Sequence, residues 1–307
     1  MKYKDWSKFT AHCTGISALL SRPKNCTDLT TAQRAAYAKL ISKEELTEKE
    51  KVTLQHYIQK MERFADPELS ETAKSYLLKR YAFDKYRKRT AALGVQRAAI
   101  QKGTEMEADA VQLLEEINKT EYIIPEMASS NEYLQGKCDA IDEKNGEIIE
   151  TKVIWSMDTF MSNYKKLPSK IWFQVQGYMD VYNLKRTQVY FVILNTPVHL
   201  LERERARIWQ KYLFGEIDRE RYEEENERFD LAYTYNSIPM RRRIINYQVD
   251  YCEQVFPKIY RRVERSRLWL SDHEVKHMGS KKIITLAEDY LDAQPESDIE
   301  PDPADPR

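Results

Sequence analysis

Asn145-Gly146 sits at the centre of the stretch GKCDAIDEKNGEIIETK, residues 136–152, and few dipeptides commit a chain so narrowly. Both central positions of a type I′ turn need φ > 0, which Asn and Gly tolerate. The runs on either side, 133–142 and 147–155, read as strands, so the stretch predicts a β-hairpin. With Asn145 and Gly146 as a two-residue loop, Lys144 stands opposite Glu147 and Asp139 opposite Lys152. Glu150, two residues before Lys152, shares its face. Two carboxylates and an amine therefore meet on one sheet surface at ordinary cross-strand distances.

A surface hairpin with a salt-bridged lysine is the plain reading of these three residues. The chemical reading is a divalent metal site. Two hard carboxylates on a rigid sheet suit Mg²⁺ or Mn²⁺, and a neighbouring Lys can hold an attacking water or steady charge developing on a phosphate. Gly-x-x-Asp, a turn and then Glu-x-Lys resembles the core of the PD-(D/E)XK nucleases, with Cys138 standing where the proline of that name would be. Downstream, Gln174 and Tyr178 lie at i, i+4 in the apolar segment IWFQVQGYMDVY, which reads as a helix and resembles the QxxxY motif of recombination-type exonucleases. Upstream, Gly103 and Glu107 in QKGTEMEADAVQLLEEI resemble the Gly-x-x-x-Glu of lambda-exonuclease-like, YqaJ-type viral recombinase nucleases. The buried stripe of that helix reads as Met106, Ala110, Leu113 and Ile117. The resemblance covers about residues 70 to 195.

The resemblance implies an α/β fold with a restriction-endonuclease-like core, a small mixed sheet flanked by helices, with helical additions at both ends. It implies that Asp139, Glu150 and the Thr151 backbone carbonyl bind one metal, and that Glu107 reaches a metal directly or through water. Glu105 and Asp109 compete with Glu107 for that role. Lys152 would orient the attacking water, with Gln174 and Tyr178 positioning Lys152 or the strand being cut. The implied activity is Mg²⁺- or Mn²⁺-dependent exonucleolytic digestion of linear duplex DNA, with a single-strand annealing protein as partner and self-assembly into a homo-oligomer. An endonuclease on the same core and a non-catalytic DNA-binding protein on a nuclease fold stay open as alternatives.

Along the chain, residues 1–90 read as a helical N-terminal region, 91–200 as the nuclease core and 201–286 as a helical C-terminal region. Residues 287–307 read as an acidic disordered tail. Ser17 marks a short helix. Thr47 and Glu50 form a capping box, and Ser70 caps the helix after it. That helix ends in the basic run Lys85, Arg87, Lys88 and Arg89, with Tyr81 and Tyr86 interleaved, which suits a phosphate backbone. A strand is expected near 122–125, a crossover over 156–170, and an interior strand over 187–194. Arg241, Arg242 and Arg243 are further DNA-binding candidates. Arg261, Arg262, Arg265 and Arg267 lie either along a DNA channel or on an ordinary surface.

Equal numbers of basic and acidic residues, 49 each, hide an asymmetry: residues 288–307 hold eight acidic side chains and one Arg, leaving +7 elsewhere. That excess suits a polyanionic partner. Four scattered cysteines without a C-x-x-C pair speak against disulfides and zinc ribbons and for a reducing cytoplasm, which the resemblance implies is that of a bacterium or phage-infected cell. Only Cys252 lies beyond the core, against the three clustered cysteines that hold an iron–sulfur cluster in some nucleases of that superfamily. No segment has the length of a membrane span and no secretory signal is evident. His273-Glu274-Val275-Lys276-His277 fits the zinc-protease pattern H-E-x-x-H. It is set aside because Lys276 puts a charge on that helix, Gly279 breaks the extended motif, and little chain remains for a third ligand.

Overall fold

The computed structural model describes residues 4–87 and 95–278, and the chain is mixed α/β. A two-residue strand, β1 (Ala11–His12), leads into a short helix, α1 (Ile16–Leu19), which includes the expected Ser17. Helices α2 (Thr31–Ile41) and α3 (Glu48–Ala65) follow, each started by a capping box, Thr30 with Gln33 and Thr47 with Glu50. Neither contains a buried residue, so this pair stands off the body. Helix α4 (Glu71–Tyr86) begins where Ser70 accepts the Ala73 amide.

The predicted Gly103 helix is two helices, α5 (Val95–Glu105) and α6 (Glu107–Asn118), broken at Met106 with φ −99° and ψ 5°. Ala110 is buried as expected, with Met106 and Leu113 partly buried beside it, but Val111 and Leu114 are buried too and Ile117 is exposed. Strands β2 (Ser129–Ser130) and β3 (Leu134–Gly136) join β1 in a small sheet of order β1-β3-β2. The strand expected near 122–125 is a single bridge between Ile123 and Ile141.

The main sheet has four strands in the order β4 (Ala140–Asp142), β5 (Glu147–Val153), β6 (Arg186–Val192) and β7 (Ile244–Asp250). Between β5 and β6 the chain crosses through α7 (Met157–Ser162) and α8 (Ser169–Tyr182), and β5 runs parallel to β6. Beyond β6 come the helical pair α9 (Val198–Leu213) and α10 (Arg219–Tyr233), then β7 and the long α11 (Phe256–Met278). No helix among the described residues is long and apolar enough to cross a membrane.

Period-2 alternation on β5 and β6 feeds two separate cores. Ile148, Val189 and Phe191 pack in the cluster that holds Val175 and Met179 of α8. Ile149, Tyr190 and Val192 pack with Ala110, Val111 and Leu114 of α6. Each such side chain contributes about 1.5–3 kcal/mol on burial, and together they hold β5, the carrier of Glu150 and Lys152, between two helical layers.

Two local expectations need correction. Residues 244–250, within the C-terminal stretch read as helical, form the antiparallel edge strand β7 against β6. Their inward residues Ile245 and Val249 alternate with exposed Asn246, Gln248 and Asp250, a strand period that the flanking charged helices obscure. The hairpin register also differs by two residues. Ala140 pairs with Ile149 and Asp142 with Glu147, so the loop has four residues, 143–146. The cause is Asp142, whose carboxylate accepts the Asn145 amide at 3.0 Å and its side-chain nitrogen at 2.8 Å. Gly146 keeps φ at 65° while Asn145 does not, so the turn is not type I′. Asp139 therefore comes level with Glu150, not Lys152. A slip of two leaves side-chain parity unchanged, and the acidic face survives.

Candidate active site

Glu150 is fully buried on β5, and its two oxygens differ sharply. Oε1 accepts the Gln174 side-chain amide at 2.6 Å and pairs with the Lys152 ammonium. Oε2 is buried with no hydrogen-bond partner. An unmet carboxylate oxygen in a protein interior is costly. Burial first, and the charges of Asp139 and Glu107 after it, push the Glu150 carboxyl up to about 8 against the pull of Lys152. Burial also works against the Lys152 ammonium, but Glu150, Asp139 and Glu107 outweigh it and raise its pKa.

Asp139 has the same one-sided arrangement. Its Oδ2 accepts the Thr151 amide at 2.6 Å and the Thr151 hydroxyl at 2.8 Å. The Thr151 carbonyl, expected as a metal ligand, accepts from Lys152 Nζ at 3.2 Å.

Gln174 and Tyr178 lie on one face of α8 as expected, and both are buried. The Gln174 amide nitrogen donates to Glu150 and to the Tyr178 hydroxyl at 3.0 Å, so the pair orients Glu150. Burial, then the Glu150 charge, raises the Tyr178 pKa. Gly136 is the space that Tyr178 requires: a Cβ there would lie 2.6 Å from the Tyr178 ring and 2.8 Å from the Cys13 sulfur.

Gly103 and Glu107 flank the break between α5 and α6 and line one cleft of about 420 Å³ with Thr104, Thr151, Lys152 and Asn163. A Cβ at Gly103 would meet nothing within 4 Å, so this glycine keeps the cleft wall low. Glu107 stands on the exposed rim, its pKa raised by partial burial and then by Asp139. Glu105 points elsewhere, pairing with His199 at 3.0 Å. Next to Gly103 in the chain is a residue that sequence reasoning missed. Lys102 is fully buried, hydrogen-bonded to the Trp155 carbonyl at 3.3 Å, and burial pushes its amine down to about 7. A larger groove of about 960 Å³, lined by His56, Lys60, Arg63 and Asp66 among others, contains none of the expected catalytic or metal-binding residues.

Carboxylate oxygens are the kind of donor that a hard divalent cation takes. Asp139, Glu150 and Glu107 interact electrostatically, and Glu150 Oε2 lacks a partner that a cation would supply. Among the described residues no group of three or more His, Cys, Asp or Glu side chains is arranged to hold a metal ion by itself; in this arrangement Lys152 Nζ is the cation beside Glu150.

The basic candidates divide. Lys85 is nearly buried in an ion pair with Glu274, and Arg243 is buried, donating to the Ile238 carbonyl at 2.7 Å, so neither faces a ligand. Arg87, Arg241 and Arg242 are exposed, whereas Lys88 and Arg89 lie outside the described residues. Arg262, Arg265 and Arg267 of α11 donate to main-chain carbonyls of residues 19, 21, 67, 68, 9 and 132. They tie α11 to the N-terminal half, and Arg265 also lines the groove of about 960 Å³. Glu274 of the H-E-x-x-H stretch is itself buried, taking the Lys4 amide and the Trp6 indole. The acidic tail, 287–307, falls outside the described residues.

No protein-family model matches the chain, and no curated protein does. Solved structures share its fold. A phage-related exonuclease from Haemophilus somnus 129PT aligns with a TM-score of 0.57 over 89% of this chain and 97% of its own, at 20% identity. The alkaline exonuclease LHK-Exo from Laribacter hongkongensis, in complex with dAMP, aligns at 0.50 over 91% of this chain and 96% of its own, at 9% identity. At such identities the likeness is one of fold, and it spans almost the whole of both neighbours. The fold is shared with these two exonucleases, and the Gly-x-x-Asp, Glu-x-Lys and Gln-x-x-x-Tyr residues are those on which the sequence resembles the PD-(D/E)XK nucleases.

Proposed function

We propose that this chain is a divalent-metal-dependent deoxyribonuclease that digests linear duplex DNA from an end. The observation that carries the reading is the pair of carboxylates with one oxygen tied down and the other left over. Glu150 Oε1 is held by Gln174 and Lys152 while Oε2 has no partner, and Asp139 Oδ2 is held by Thr151. A structural ion pair has no use for a buried oxygen without a donor. The fold shared with two exonucleases, one solved with dAMP, supports the same reading.

Asp139 and Glu150, with Glu107 at the rim, would hold Mg²⁺ or Mn²⁺. When bound, the ion supplies positive charge against the attacking and leaving oxygens of an in-line displacement at phosphorus. Lys152 keeps its proton through neutral pH because three carboxylates surround it. Released from Glu150, its ammonium donates to the attacking water or to a non-bridging phosphate oxygen. Gln174, itself held by Tyr178, keeps Glu150 in place when that pair opens. Ile171 and Phe191 in the cleft wall limit water around the charges. Arg241 and Arg242, exposed before β7, are the cations available to phosphates at a distance from the cut.

The test is a time course on end-labelled linear duplex and covalently closed circular duplex with Mg²⁺, repeated with chelator. Linear DNA should fall to mononucleotides or short products while the circle survives, and chelator should stop digestion. Rapid linearisation of the circle would make the protein an endonuclease on this core. Binding without cleavage would make it a non-catalytic DNA-binding protein.

A further inference from the structure

Asp139 lies outside the strand ladder, one residue before β4 begins at Ala140. The last pair on that edge of β5 is Ile149 with Ala140, so β5 runs on past the end of its neighbour and the Thr151 amide has no strand to donate to. Asp139 supplies the acceptor, and its Oδ2 takes both the amide and the hydroxyl of Thr151, at 2.6 and 2.8 Å. The amide bond is available to almost any residue at 151. The hydroxyl bond is particular to Thr or Ser. A carboxylate held by one donor can still rotate about its Cβ–Cγ bond. Two donors on the same oxygen set the plane and leave Oδ1 without a protein donor among the described residues. Thr151 is itself buried, and its hydroxyl is directed at Asp139.

We infer that the Thr151 hydroxyl is a positioning group for Asp139, orienting that carboxylate so that Oδ1 stays free for the divalent cation. The inference rests on the nuclease reading above and extends it to a side chain that touches neither DNA nor the reacting atoms. Its counterpart on Glu150 is Gln174, which holds Oε1 in the same way. Removing an outer partner of a metal-binding carboxylate typically weakens metal affinity about 10- to 100-fold.

The test compares wild type, Thr151→Val and Thr151→Ser, folded by their melting curves, in calorimetric titration with Mn²⁺ in the absence of DNA. Thr151→Val keeps the β-branched shape and loses only the hydroxyl, so Mn²⁺ affinity should fall about 10- to 100-fold, while Thr151→Ser should stay within about threefold of wild type. Single-turnover cleavage against rising Mg²⁺ should show the same split: half-saturation moves to higher metal for Thr151→Val, and the maximal rate largely recovers. If Val does not fold, Thr151→Ala beside Thr151→Ser makes the same comparison. Wild-type affinity in the hydroxyl-free variant overturns the inference alone. So does a Ser variant as weak as Val or Ala, because packing and not the hydroxyl would then matter. A wild-type protein that binds no divalent cation overturns the inference together with the nuclease reading.

Discussion

Glu150 and Glu274 are both buried carboxylates paired with a lysine, Lys152 in one case and Lys85 in the other. Glu274 receives the Lys4 amide at 3.2 Å, the Trp6 indole at 3.1 Å and the Lys85 ammonium, joining the N-terminus, α4 and α11. Burial resists its charge, but Lys85, Trp6 and Lys4 win and hold its carboxyl down at about 2. Glu150 has donors on one oxygen only, and burial drives it up to about 8. The residue types are nearly the same and the outcomes are opposite. What separates them is whether the donor set is closed: a closed set makes a buried charge part of the scaffold, an open one keeps it ready for a ligand.

The largest expected difference follows directly. Glu150→Gln or Asp139→Asn should lower Mg²⁺-dependent cleavage by at least about a thousandfold, the upper scale for losing one charge-stabilising group, with no loss of thermal stability. Glu274→Gln should do the reverse, losing about 3–5 kcal/mol of stability by leaving Lys85 without its counter-charge, with the folded fraction cutting normally. Urea midpoints beside single-turnover rates measure both, and a Glu150→Gln protein that cuts normally would remove Glu150 from the site. The pH signature also differs. A carboxylate whose folded pKa lies below its unfolded value stabilises above the unfolded pKa. The Glu274 contribution should therefore be complete above about 4.5 and disappear as pH falls toward 2, and it should be absent from the Glu274→Gln melting profile.

The two lysines sharpen the same contrast. Lys152→Ala should slow cleavage by about a hundredfold while Mn²⁺ binding is kept or tightened. Lys85→Ala should instead lower the melting temperature without changing the rate per folded molecule. Equal rates in the Lys152 variant and wild type would reduce Lys152 to a salt bridge.

Lys102 is a third case, an amine buried without a carboxylate partner among the described residues. Its folded pKa of about 7 lies below the unfolded value, so the unfolded chain binds more protons between about 7 and 10.5 and stability rises with pH across that window. Lys102→Met should therefore gain most, on the order of a few kcal/mol, at pH 7 and below. The gain should shrink toward pH 10, and a pH-independent gain in urea midpoints would show that folding does not shift the amine's pKa.

The smallest effect belongs to the exposed arginines. Arg241→Ala or Arg242→Ala should weaken duplex binding by about 1 kcal/mol or less and reduce the salt dependence of binding by about one phosphate contact. Binding titrations at several salt concentrations would show it, and an unchanged salt slope would take these residues off the DNA path.

Much of the frame is local and therefore written in the sequence. Thr47 with Glu50, and Ser70 with the Ala73 amide, are contacts three residues apart, and both helices start where their caps predict. The apolar run that becomes β6, and the i, i+2 relation that puts Glu150 and Lys152 on one face, follow from strand period alone. Gln174 and Tyr178 meet because four residues make one helical turn. Tertiary structure decided where the long side chains end. Lys85 reads as part of a basic surface run, yet its partner Glu274 is 189 residues away. Arg262 looks like one more cation on an exposed helix until it reaches carbonyls more than 190 residues distant. The carboxylate of Asp142 bent the turn and moved the register by two. Local spacing fixes which way a side chain leaves the backbone. What it meets depends on how distant segments pack, and that contact decides whether a buried charge becomes scaffold or site.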